Sequence, residues 1–108
     1  MAYEITSVEE FNKYIDIKDI LIICYFTASW CGPCKRISPF VNEISSNEKI
    51  NKKLKIMKID VDINPEITEE CDVSSMPTFQ FYRNNENIDE FTGADKEKLT
   101  EYIKKHIN

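Results

Sequence analysis

Residues 20–34 read ILIICYFTASWCGPC. The first seven are continuously apolar and rich in β-branched and aromatic side chains, the pattern of a strand covered on both faces and central in a parallel sheet. Beyond Cys31, the apolar positions Cys34, Ile37, Val41 and Ile44 recur at helical spacing, so a helix opens at Cys31-Gly32-Pro33-Cys34. Pro39 falls inside it and predicts a kink, because it lacks a donor and its ring crowds the Lys35 carbonyl. The two cysteines thus lie at the carboxyl end of a buried strand and the amino end of a helix. Unpaired amide donors and roughly half a unit of positive dipole charge favour an anion there, and a thiol is a good nucleophile only as a thiolate. Cys31 is the candidate attacking sulfur. Cys34, one turn on, can close a small disulfide ring with it and is the candidate resolving thiol, while Gly32 and Pro33 suit the tight first turn. Cys31 would attack a target disulfide to give a mixed disulfide, and Cys34 would then attack Cys31 to release the reduced target. A separate electron donor would have to reduce the oxidised pair again.

Working outward, Ser7 and Glu10 match a capping box, and Val8, Phe11 and Ile15 continue it into a helix over residues 7–16, with YEIT before it as an edge strand. LKIMKIDVD, residues 54–62, alternates as a strand with Lys58 and Asp60 on one face. Pro65 opens a short helix with Ile63, Ile67 and Cys71 one turn apart. TFQFYR (78–83) and NIDEFT (87–92) read as strands joined tightly at Asn84-Asn85-Glu86, since Asn tolerates positive φ. Asp95 caps a last helix with the stripe Leu99, Tyr102, Ile103 and Ile107. The expected architecture is α/β, a mixed sheet with helices on both faces.

The chain has 108 residues, 42% of them hydrophobic and 31% charged. That is enough for one domain, 1–108, with a core needing no metal or disulfide staple. No apolar stretch approaches the roughly 20 residues that span a bilayer. The start, MAYEITSVEEF, has no basic, apolar pattern of a secretory signal, so a cytoplasmic location is expected. A formal net charge of −5 with interspersed lysines offers no basic stripe for nucleic acid. Four cysteines in such a chain read as working or buried thiols. A CxxC pair is also half of a zinc site, but there is no second pair; Cys24 and Cys71 stand apart and His106 is the one histidine, so no metal is expected.

WCGPCK at 30–35 resembles the active-site signature of thioredoxins, and SMPTFQFYRNNENIDEFTGADKEKLTEYI from Ser75 resembles the matching carboxyl-terminal half of the eukaryotic, cytosolic type. The resemblance covers essentially the whole chain. It implies the thioredoxin fold, with a five-stranded central sheet flanked by four helices, a cis Met76-Pro77 bond, and a redox disulfide between Cys31 and Cys34. It implies no bound cofactor, electrons from NADPH through a flavoprotein thioredoxin reductase, and protein disulfide substrates such as peroxiredoxins, ribonucleotide reductase and methionine sulfoxide reductases, served by a monomer. In the family the residue at Met76 pairs through its backbone with the substrate chain, as in strand addition. Trp30, Pro33, Met76, Pro77 and the Thr92-Gly93-Ala94 loop would form a shallow apolar surface around Cys31. Trp30 then serves as an exposed contact with a polar handle and not as core. Without the resemblance Met76-Pro77 reads as an ordinary tight turn, and Gly93 either ends a strand or admits a partner backbone.

One position departs from the family. Thioredoxins usually carry a buried Asp six positions before the attacking cysteine, as proton acceptor for the resolving thiol. Here it is Tyr25, and a phenol with an ordinary pKa near 10 is a poor base that burial weakens further. YFTASW is similar to a stretch of the tryparedoxins, which usually have CPPC and are longer; a carrier reduced by a small dithiol is the alternative this raises. Lys58 and Asp60 could reach the site through water, or be solvated or paired with each other. The expectation is that the Cys31 thiolate supports deprotonation of Cys34, with Tyr25 donating a hydrogen bond or filling space. Cys24 reads as core; Cys71 as core or as a modifiable thiol; Lys35 as a surface lysine or an attractor of acidic partners. A thioredoxin-fold adaptor with secondary redox chemistry is the competing function.

Overall fold

The computed structural model describes residues 2–108; Met1, where the expected domain begins, lies outside the described residues. The order of elements is β1 (Tyr3–Glu4), α1 (Val8–Ile15), β2 (Leu21–Thr27), α2 (Gly32–Ser45), β3 (Leu54–Asp60), α3 (Pro65–Glu70), β4 (Thr78–Arg83), β5 (Glu86–Thr92) and α4 (Lys96–His106). Among the described residues the strands form one sheet in the order β1-β3-β2-β4-β5. β3 runs parallel to both β1 and β2, whereas β4 is antiparallel to β2 and β5.

β2 is central and every residue in it is buried, which is why its sequence is apolar without alternation. Its two faces feed two cores. On one, Leu21, Ile23 and Tyr25 pack with Leu54, Ile56, Phe79, Phe81 and Phe91 under Ile37 and Val41 of α2 and Leu99 and Ile103 of α4. On the other, Ile22, Cys24 and Phe26 pack with Met57 and Ile59 under Phe11 and Ile15 of α1 and Ile67 of α3. Each fully buried aliphatic or aromatic side chain contributes about 1.5–3 kcal/mol, and β2 draws on both layers.

The element ends differ from the sequence reading for local reasons. Ser7 Oγ accepts from Glu10 N at 3.1 Å as expected, but the Glu10 carboxylate returns to Thr6, not to the cap residue. β1 shrinks to two residues, although Ile5 N still donates to Lys58 O. β3 stops at Asp60, short of Asp62, because Asp60 closes a turn: its carboxylate accepts from Asp62 N and its carbonyl from Ile63 N and Asn64 N. Ile63 is therefore outside α3 and 55% exposed, and does not join the buried stripe with Ile67. The β4–β5 turn is two residues, Asn84 and Asn85, at φ 52° and 67°, with Glu86 already paired to Arg83. α2 continues through Pro39 to Ser45.

Candidate active site

After β2, Cys31 N donates to Ala28 O at 3.2 Å, turning the chain so that Cys31 becomes the N-cap of α2 in extended conformation. Its Sγ takes the place an N-cap oxygen usually fills, accepting from Cys34 N at 3.2 Å, and its carbonyl accepts the first helical bond from Lys35 N. A cap atom that meets an unpaired helical N–H is where negative charge is best tolerated. Cys31 and Cys34 are joined as a disulfide with Cα atoms 5.3 Å apart. Both are buried, and they form a small cluster with Ala28, flanked by Val61 and Met76.

Of the predicted surface residues, Met76 packs against this sulfur pair. The Met76-Pro77 bond is cis, and Cys31 Sγ lies 3.7 Å from Met76 O. Gly93, at φ 125°, donates its N–H to Pro77 O at 2.9 Å, and the Thr92 and Thr78 hydroxyls meet at 3.0 Å. The β5–α4 loop is thereby tied to the cis-proline segment. A positive φ at this junction is what demands glycine there. Trp30 is 65% exposed; Gly32, Pro33 and Thr92 are exposed, Met76, Gly93 and Ala94 half-buried, and Pro77 buried. Ala94 sits further along the surface, beside Arg36, Ile37 and Lys96.

Tyr25, 2% exposed, donates its hydroxyl to the Cys34 carbonyl at 3.1 Å. Its ring stacks on Phe79, centroids 5.1 Å apart at 8°, and Phe79 stacks on Phe91 at 5.1 Å. Burial pushes the phenol's pKa up, partly offset by the Thr27 and Ser38 hydroxyls, so this group is a proton donor. Lys58 and Asp60 stand opposite Tyr25 and Thr27 in the sheet register, both half-buried. They are not paired with each other. Among the described residues the ion pairs converge on Asp89 instead, and one oxygen of Asp60 is engaged by Asp62 N.

Asp62 is a site residue that the sequence reading missed. Its Oδ2 accepts from Trp30 Nε1 at 2.9 Å, which holds the indole in place across 32 positions of sequence; no local signal announces such a bond. Val61, next to Asp62 in sequence, packs beside the disulfide. The other thiols are set apart. Cys24 is fully buried and burial raises its pKa strongly; Cys71 is half-buried, its pKa also raised by burial, with Tyr82 OH at 3.8 Å. No group of three or more His, Cys, Asp or Glu placed to hold a metal occurs among the described residues.

Residues 2–105 match the family model "Thioredoxin". A curated relative, thioredoxin from Ophiophagus hannah, is 52% identical over 87 residues, covering 81% of this chain and 80% of its own. Among solved structures, thioredoxin from Malassezia sympodialis superposes with a TM-score of 0.90 at 36% identity, covering 100% of this chain and 92% of its own. A chain from a study of thiol resolution in yeast mitochondrial 1-Cys peroxiredoxin via glutathione/thioredoxin systems gives 0.85 at 31% identity, covering 96% and 94%. A sulfur pair at the head of a helix, in this fold and among these relatives, has one chemistry: the chain belongs to the thioredoxin family and is a thiol–disulfide oxidoreductase that reduces protein disulfides.

Proposed function

We propose that Cys31 is the attacking sulfur and Cys34 the resolving one. The observation that carries this assignment is the Cys34 N–H aimed at Cys31 Sγ from the first turn of α2: it stabilises charge on Cys31 and gives Cys34 no equivalent. Cys31 opens the target disulfide, Cys34 displaces the target, and the oxidised pair leaves two electrons on the target sulfurs. The target chain docks against Trp30 and Pro33 on one side and the Met76-Pro77 segment with Thr92, Gly93 and Ala94 on the other. Asp62 orients Trp30 for that contact. Gly32 keeps the surface low beside the sulfur, where an added Cβ would meet nothing within 4 Å.

Electrons reach the pair from NADPH through a flavoprotein thioredoxin reductase. Peroxiredoxins are proposed targets, supported by the neighbour solved in a study of peroxiredoxin resolution; ribonucleotide reductase and methionine sulfoxide reductases complete the set. The chain works as one domain and a monomer in the cytoplasm. Recycling by a small dithiol, as in tryparedoxins, is the second reading, favoured by Tyr25 within YFTASW. Insulin reduction tests both. Cys31→Ser should fall to background, and Cys34→Ser should accumulate a mixed disulfide. NADPH with thioredoxin reductase should sustain turnover; no turnover with the reductase, while a small dithiol sustains it, would transfer the assignment to the second reading.

A further inference from the structure

The Cys34 residue is held at both ends of its backbone. Its N–H donates to Cys31 Sγ at 3.2 Å, and its carbonyl accepts from Tyr25 OH at 3.1 Å. Tyr25 is fixed in turn by its stack on Phe79 and by burial to 2% exposure. The group that holds the backbone of the resolving cysteine is thus a buried ring carrying a donor hydroxyl. The charged and titratable groups around it are few. From β3, Lys58 and Asp60 share the sheet face of Tyr25, and Asp60 already accepts from Asp62 N. Asp62 itself is engaged by Trp30. In the first turns of α2, Lys35 and Arg36 are exposed. Toward β5 and α4 the neighbours are Phe79 and Phe91, with Tyr102 and Lys98 reached only beyond those rings.

We propose that Tyr25 is a positioning residue for the resolving step. Its hydroxyl fixes the Cys34 backbone for attack, and because this position carries a donor and no carboxylate, the Cys34 thiol gives its proton to solvent; the help expected from a Cys31 thiolate is absent in this step, since Cys31 is then bonded to the target. This rests on the exchange mechanism proposed above. In that step the Cys34 S–H proton passes to water, its sulfur attacks Cys31 Sγ, the Cys31–Cys34 bond forms, and the Cys31–target bond breaks. The target sulfur leaves as a thiolate carrying the electron pair.

The reduced protein and 5,5′-dithiobis(2-nitrobenzoate) separate the two steps, since attack by Cys31 releases one coloured thiolate and resolution by Cys34 a second. In the native chain the second release should quicken about tenfold per pH unit below the thiol's own ionisation. Tyr25→Phe keeps the ring stack, and should leave the first release and the slope unchanged while slowing the second release about threefold, the loss of one modest hydrogen bond. Tyr25→Asp, where it folds, should flatten the slope by supplying an internal base. A shallow slope in the native chain that Asp60→Asn steepens would overturn the proposal, and so would a Tyr25→Phe second release equal to the native one at every pH. Absence of the first release would instead sink the exchange mechanism itself.

Discussion

At the level of single residues, the chemistry depends on which atom caps α2. A cysteine in the N-cap position places sulfur where a Ser or Asp oxygen would accept the N–H of the third helical residue. The sequence announced the helix start at Cys31, because Cys31, Pro33 and the stripe that follows are local signals, but not that its sulfur is the cap. Asp62 was not announced, since its meaning lies in a hydrogen bond to an indole on another loop. Removing that bond should cost little stability, because both groups are exposed, yet it should free Trp30. Asp62→Ala is expected to raise KM for a protein disulfide severalfold while the rate with a small disulfide stays within about twofold; steady-state kinetics on the two substrates distinguish positioning of the contact surface from damage to the thiol. Tyr25 was half legible: its identity excluded an internal acid at that position, but only the structure gives its hydroxyl the Cys34 carbonyl.

At the level of elements, the aromatic ladder from Tyr25 through Phe79 to Phe91 joins the site to the β4–β5 hairpin. Phe79 is fully buried in it. Phe79→Ala should destabilise by about 3–5 kcal/mol in denaturant unfolding. The hairpin turn was legible from two adjacent asparagines, but its length was not, because Glu86 serves equally well as a turn or a first strand residue. Asn84 Oδ1 also accepts from Asp19 N, so of the pair only Asn85 is free to change. Asn85→Gly should stabilise by about 0.5 kcal/mol, read as a raised denaturation midpoint, since glycine carries no Cβ penalty at positive φ. β5 and α4 are tied by Asp89, which accepts from His106 Nε2 at 2.8 Å with Lys105 nearby. The His106 hydrogen bond holds the Asp89 carboxyl below its ordinary value, against a smaller opposing effect of burial. A carboxyl depressed by folding contributes stability that is full above its unfolded pKa, about 3.9, and is lost as pH falls through the folded one. The stability gap between the native chain and Asp89→Asn should therefore hold from pH 7 to about 5 and shrink below pH 4.

At the level of the whole molecule, the apolar run of β2 was enough to predict helices on both faces, because a strand buried on both sides requires them, and the hairpin of residues 78–92 after the parallel unit made the sheet mixed. Strand ends were less legible, since Asp60, Val61 and Asp62 continue the alternation and only the turn bonds of Asp60 stop it. The same turn exposes Ile63, which helical spacing had set one turn from Ile67. What the fold accomplishes as a unit is to bring Ala28, Val61 and Met76, from three distant segments, against one sulfur pair. The most direct test of that arrangement is the rate at which iodoacetamide captures Cys31 in the reduced protein at pH 7. The account predicts capture about tenfold faster than for an unstructured thiol, with Cys34 lagging behind. Capture of Cys31 no faster than the unstructured thiol would contradict it.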